Sequence, residues 1–215
     1  MPVQRTLTQT RGESLSPKRS RIIEALARPA PPPAPDDLHL MARPDGARIT
    51  EAAVLVPLVD RHGRLQLLLT QRTPHLDNHA GQISFPGGRV EADDASREET
   101  ALRETEEEIG LPRGAVTVLG RLPVYDNLSG FRITPVVGWI EPPFVLKPDP
   151  FEVAAAFEAP LEHFLDTANY QRREFDFRGR HRHYMAIPYE GRYIWGATAA
   201  MLYSFARMLA SDGEQ

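Results

Sequence analysis

Apolar residues change their spacing several times along the chain, and each change marks an element. In "RSRIIEALAR" (19–28), Ile22, Ile23, Leu26 and Ala27 share one face at helical spacing, which predicts a short helix. "PAPPPAPDD" (29–37) stops regular structure and reads as a stiff connector, because proline fixes φ and removes the backbone donor. The runs "EAAVLVPLV" (51–59) and "LQLLLTQR" (65–72), joined by "DRHGR", predict a hairpin turning at Gly63. "QISFPGG" (82–88) reads as a short strand ending in a turn. The period then becomes helical over 94–109. Ser96 with Glu99 forms a capping-box pattern there, Asp94 is a competing cap, and Gly110 followed by Pro112 ends the helix.

Downstream, "AVTVLGRLPVY" (115–125) and "FRITPVVGWI" (131–140) predict strands on either side of the turn "DNLSG". A short helix is expected over 160–169, begun by Pro160. A last hairpin is expected at 183–189 and 192–195 around "EG", and an amphipathic helix over 197–210. No internal repeat is visible. Strands before, between and after a few helices predict a mixed α/β layered domain.

Composition narrows the chemistry. With 215 residues, 41% apolar and 25% charged, the chain can bury one substantial core. A net charge of −4 argues against the chain as a whole being an electrostatic partner of nucleic acid or an anionic membrane. No apolar run approaches the roughly 20 residues of a membrane span. The absence of cysteine excludes disulfides and thiolate metal sites, so a metal here must take oxygen or imidazole ligands. Residues 1–21 carry Arg5, Arg11, Lys18, Arg19 and Arg21 against one acid, Glu13. They lack the amphipathic face of an organelle transit peptide; the expectation is a disordered basic tail over 1–18 on a bacterial, cytoplasmic protein, with organelle targeting as the alternative.

The stretch "REETALRETEEEIGL" (97–111) places six glutamates close together. Like charges one turn apart repel by a few tenths of a kcal/mol per pair, roughly. Glu104 and Glu108 are i and i+4, and Glu107 joins them at i+3, so three carboxylates share one face; Leu102, Thr105 and Ile109 are expected to form the buried stripe opposite. Hard divalent cations bind through such oxygens, and a cation would turn the repulsion into affinity. The bland alternative is a solvated acidic face. Two details weigh against it: the helix follows "FPGG", whose Gly87 and Gly88 permit close backbone approach, and it holds Arg103 among the acids. Glu98 and Glu106 read as solvated surface and Glu99 as cap support.

Residues 103–111, Arg-Glu-Thr-Glu-Glu-Glu-Ile-Gly-Leu, resemble the second half of the Nudix box, R-E-U-x-E-E-x-G-U with U aliphatic or small. The first half, G-x5-E-x7, departs: Asp94 stands for the glutamate and is followed by eight residues before Arg103, and Thr105 is polar where an aliphatic is usual. Upstream, "LLTQRTPHLDNHAGQISFPGG" (68–88) resembles the signature of the coenzyme A pyrophosphatase branch, L-L-T-x-R-[S/A]-x3-R-x3-G-x3-F-P-G-G, with Thr73 for Ser/Ala and Asp77 for the arginine. "SGFRITPVVG", "EVAAAFEAPL" and "YIWGATAAML" extend the likeness to about residue 208.

The resemblance implies a Nudix fold: a mixed β-sheet sandwiched between α-helices (α/β/α), with the box as loop–helix–loop. The implied organisation is a tail over 1–18, a helix and Pro-rich connector over 19–38, and a Nudix hydrolase domain over 39–212. It implies Mg²⁺ or Mn²⁺ held by Glu104, Glu107 and Glu108, and cleavage of coenzyme A into 3′,5′-ADP and 4′-phosphopantetheine. Alternatives are a Nudix hydrolase of another diphosphate, such as ADP-ribose, NADH or a nucleoside triphosphate, or a nucleotide-sensing domain without catalysis. A homodimer is an arrangement the sequence leaves open.

Roles follow for single residues. Glu107 is a candidate general base; Glu152, in "PFEVA", is another, since members of the fold often bring a base from that region. Arg103 reads chiefly as the residue that neutralises and orients the glutamates. Arg72 can clamp a phosphate bidentately or form a surface ion pair. Gly87 and Gly88 let the loop pass under the carboxylates or make a simple turn. If the position of Asp77 contacts the 3′-phosphate, His75 or His79 would have to substitute in part. "RGRHRHY" (178–184) reads as an exposed basic hairpin more than as a two-histidine metal site, and Trp139 and Trp195 as core or interface anchors more than base-stacking platforms.

Overall fold

In the computed structural model, the residues described are 16–32, 34, 49–76, 79–127, 130–177 and 179–210. Asp77, residues 1–15 of the tail and residues 33 and 35–37 of the proline connector lie outside them. The expected helix forms as α1 (Pro17–Leu26), two residues earlier than the sequence suggested, with Ser16 Oγ accepting from Arg19 N and Pro17 at the first position. The expected hairpin forms as β1 (Thr50–Arg61) and β2 (Arg64–Arg72). His62 (φ 55°) and Gly63 (φ 82°) turn it in left-handed backbone, the geometry that matches the twist of paired strands. "QISFPGG" gives two very short strands, β3 (Ile83–Ser84) and β4 (Gly87–Arg89), where one was expected. The glutamate helix is α2 (Arg97–Ile109), capped by Ser96 Oγ and ended by Gly110 at φ 67°.

β5 (Val116–Arg121), β6 (Tyr125–Asp126) and β7 (Phe131–Ile140) occupy the next apolar runs. β8 (Val153–Pro160) and β9 (Gln171–Phe177) were not expected as strands. The helix expected over 160–169 is shorter, α3 (Leu161–Leu165): Asp166 accepts from Ala168 N and opens a separate 3₁₀ turn. β10 (Arg180–Tyr189), β11 (Arg192–Trp195) and α4 (Ala197–Ala210) complete the chain.

The larger sheet is mixed. β1 and β7 run parallel in continuous register from Thr50↔Phe131 to Val59↔Ile140, and the remaining pairs are antiparallel. Such central strands are covered on both faces, which is why they read as unbroken apolar runs. Alternate residues feed two cores. Ala53, Leu55, Val59, Leu68, Val136 and Ile140 pack under α2 with Ala101 and Ile109. Val56, Leu58, Leu67, Leu69, Val137 and Trp139 pack on the other face with residues of α1, α3 and α4. The sheet is therefore sandwiched between helices, as expected, and Ile22 and Ala25 tie α1 into the same core.

One irregularity positions the site. β1 pairs with β4 through Ala52–Val54 and with β2 through Leu58–Arg61, so the two long strands splay apart and β3 and β4 fill the gap. The second sheet, β9–β10–β11, packs on the α4 side. Among the described residues no helix is long and apolar enough to cross a membrane.

Candidate active site

α2 lies over the splay. Its buried residues are Thr100, Ala101, Thr105, Glu108 and Ile109. Leu102, expected in the stripe, is half-buried, and Glu108, expected on the face opposite it, belongs to it instead. The positions 101, 105, 108 and 109 follow i, i+4, i+7, i+8 and so make one face. Thr105 fits there because its hydroxyl donates to Ala101 O at 2.6 Å.

Glu108 thus carries its carboxyl to the bottom of the groove, 8% exposed, where Gly87 N donates to its Oε2 at 3.3 Å and Arg72 Nη1 stands 3.9 Å from its Oε1. Burial pushes this carboxyl up to about 8; the charges of Glu152 and Glu104 add to the shift, and the Gly87 N–H and Arg72 work against it. Burial raises Glu104 also, opposed by the bond from Arg103 and supported by Glu107 and Glu152. Four carboxylates therefore feel one another here. Glu152 is brought in by β8, whose pairing with β2 slips at Ala154, between Arg72↔Val153 and Gln71↔Ala155.

Gly88 faces Glu104: a Cβ on Gly88 would sit 2.3 Å from the Glu104 carboxyl carbon. Gly88 therefore lets backbone run directly beneath the Glu104 carboxylate, and Gly87, packed against β1, aims its N–H at Glu108, beyond what a simple turn requires. Arg103 is the hub. Its Nε and Nη2 each lie 2.9 Å from Asp94, its Nη1 donates to Glu104 at 3.0 Å and Glu107 at 3.1 Å, and its Nη2 also reaches Arg89 O. Asp94 is accordingly not a cap. The Arg103 guanidinium holds it well below the usual carboxylate range, with Glu91 N and Thr100 Oγ1 as further donors. The sequence offered one signal for this role, the position of Asp94 in the first half of the box.

The other expected residues divide. Arg72 joins the carboxylates, and its Nε is buried with no hydrogen-bond partner. Glu107 is the open one, 59% exposed. His75 packs on Phe151, ring centroids 5.0 Å apart, next to Glu152. His79 bonds Gln82 Oε1 at 2.7 Å, and no described contact brings it to the glutamates. Glu98 and Glu106, expected as free surface, pair with Arg121 and Arg113. His181 and His183 pair with Asp176 and Glu174 on the exposed hairpin.

Among the described residues, no three acidic or imidazole groups converge as a ready-made metal cage. The donor set nevertheless fits a hard divalent cation: clustered carboxylate oxygens, one deeply buried, over a backbone that leaves no room for side chains.

A mixed sheet whose splayed strands hold a loop–helix–loop rich in carboxylates defines a hydrolase of the Nudix class. Residues 49–175 match the NUDIX domain model, and the chain belongs to that family. Its similar proteins include NudL, an uncharacterized Nudix hydrolase of Escherichia coli K12, 44% identical over 156 residues, or 73% of this chain and 81% of that one. NudL of Salmonella paratyphi B matches over the same shares with the same identity. A solved Ap4A hydrolase binary complex from C. elegans is 20% identical, covering 52% of this chain and 80% of its own, at a TM-score of 0.45. The Nudix domain of Shewanella oneidensis NrtR with ADP ribose is 21% identical over 55% and 77%, at 0.42. The chain is thus a Nudix hydrolase, acting on phosphorus anhydride bonds of nucleoside diphosphate derivatives. Such enzymes generally use divalent metal ions.

Proposed function

We propose that this enzyme hydrolyses the diphosphate of coenzyme A, its thioesters or its oxidised form to 3′,5′-ADP and 4′-phosphopantetheine, using Mg²⁺ or Mn²⁺. The substrate reading is supported by the signature over residues 68–88; its departure at Asp77 lies outside the described residues. The reaction reading is carried by one observation: Arg72, with an unpartnered buried Nε, stands beside the buried carboxyl of Glu108. A part-exposed guanidinium held beside the carboxylates is suited to a phosphate oxygen.

Glu104, Glu107 and Glu108 would hold the cation. Bound there, it neutralises phosphoryl oxygens and lowers the pKa of water. Arg103 orients Glu104 and Glu107 and is itself fixed by Asp94. Arg72 binds the diphosphate. Of the two candidate bases, Glu152 is favoured: its charge acts on Glu108 and no arginine among the described residues pairs with it, whereas Glu107 is bonded to Arg103. Gly87 and Gly88 shape the floor, and His79 is left without a role in phosphate binding. A bacterial cytoplasm is the setting proposed, in keeping with the bacterial relatives, with a homodimer left open.

Incubation with coenzyme A, ADP-ribose, NADH and a nucleoside triphosphate, with Mg²⁺ or Mn²⁺ and product identification, tests the substrate. Coenzyme A is expected to give the two products above; its survival beside cleaved ADP-ribose sinks the narrow reading. Glu108→Gln is expected to lower turnover by roughly two orders of magnitude with the fold intact. Unchanged turnover would remove the metal-site reading.

A further inference from the structure

On the sheet face opposite α2, a recess of about 660 Å³ opens between the loop entering β3 and the turn joining β10 to β11. Its walls include Gln71, Gly81, Gln82, Tyr193 and Trp195. Tyr193 and Trp195 are alternate residues of β11 and so point the same way, while Ile194 between them is fully buried in the core. These two rings remain 41% and 38% exposed. They are not loose. Tyr193 Oη lies 3.2 Å from Tyr184 Oη, and the Trp195 ring meets the Tyr184 ring edge-on at 5.5 Å between centroids.

Two fixed aromatic walls beside two side-chain amides suit a flat heteroaromatic ring with a polar edge. Gln82 gives its Oε1 to His79, which leaves its amide nitrogen as donor. Gln71 has only a long 3.5 Å contact to Gly81 O from its nitrogen, which leaves its Oε1 as acceptor. Arg192 is committed to the ring of Phe157, 4.1 Å from its centroid, and to Glu190 at 3.9 Å, so no phosphate clamp is assigned here. The recess and the carboxylates lie on opposite faces of the sheet, because neighbouring residues of β2 point to opposite sides and Arg72 faces Glu108. Gln71 and Arg72 are consecutive on β2, and Arg72 N donates to Gln82 O at 2.9 Å.

The geometry points to this recess as the site for the purine base of an adenine nucleotide, held against Tyr193 and Trp195. The link to the substrate rests on the diphosphate-hydrolase reading; the presence of a base site does not. Of the two tryptophans, Trp139 is 2% exposed, so Trp195 alone is open to a quencher.

The test titrates the full chain with 5′-AMP, and with ribose 5-phosphate as the baseless control, while following tryptophan fluorescence. Saturable quenching by 5′-AMP only is expected, and Trp195→Phe should abolish it while 5′-AMP still binds by equilibrium dialysis. Trp195→Ala is expected to weaken 5′-AMP binding about tenfold or more. It should raise KM for a hydrolysed adenine substrate by a similar factor, with a smaller change in kcat. Tyr193→Ala serves if the tryptophan variant does not fold. Absence of quenching overturns the inference. So does a variant that loses a dimer but binds 5′-AMP as before, since the walls would then be a subunit contact. If coenzyme A is not cleaved yet 5′-AMP quenches, the substrate reading fails and the base site stands.

Discussion

Gly87 and Gly88 are neighbours in β4, yet a methyl group on each would act differently. On Gly87, at φ 151°, it would lie 2.4 Å from Ala53 O and 2.5 Å from Val54 Cα, atoms of a central strand that cannot step aside. Gly87→Ala is expected to cost about 3 kcal/mol in denaturant unfolding. On Gly88 the clash is with the far end of the Glu104 side chain, which can swing aside more readily than backbone. Gly88→Ala should leave stability within about 0.5 kcal/mol and lower kcat/KM by roughly tenfold to a hundredfold, because it displaces a proposed ligand. Equal stability losses in both would contradict this division. Residue spacing made the nearness of Glu104 to Glu107 and Glu108 along α2 legible in the sequence, but not a single face for the three, since Glu108 turns into the buried stripe. The burial of Glu108 and the role of Asp94 were not, because both depend on how α2 is rolled and on the fold of the loop before it.

Between elements, Glu98 in the first turn of α2 accepts two bonds from Arg121 of β5. Those bonds, with Ser96 and the Arg121 charge assisting, hold the Glu98 carboxyl at about 2, below its ordinary 4.5, against a burial penalty. A depressed carboxylate adds stability above its unfolded pKa and loses it as pH falls through the folded one. The native protein should therefore lose melting temperature between about pH 4.5 and about 2 more steeply than Glu98→Gln. The pair is partly exposed, so the variant should cost only about 0.5–1 kcal/mol at pH 7. Parallel melting curves across that range would show that the pair contributes nothing. Strands with dense β-branched residues, β1 and β7 among them, were visible in the sequence. β8 was hidden by its small residues in "VAAAF", and β9 by its polar "QRREFDF", whose strand form comes from pairing with β10.

Across the whole molecule, a cation at the carboxylates would bind the folded chain and have no comparable site on the unfolded one. Mg²⁺ at a hundred times its dissociation constant is expected to add about 2.7 kcal/mol and raise the melting temperature by several degrees, roughly. Glu108→Gln should show little of this rise; an equal rise in both would place the ion elsewhere. The splay of β1 carries a consequence for kinetics. Ala53 pairs with Gly88 on one side and Thr134 on the other, so the strand beneath the site is completed only when chain ends far apart in sequence have met. Contacts of that range close late in folding. We expect the carboxylates to assemble after the main barrier, so that a bound ion slows unfolding and leaves the folding rate nearly unchanged; a folding rate that rises with Mg²⁺ would contradict this.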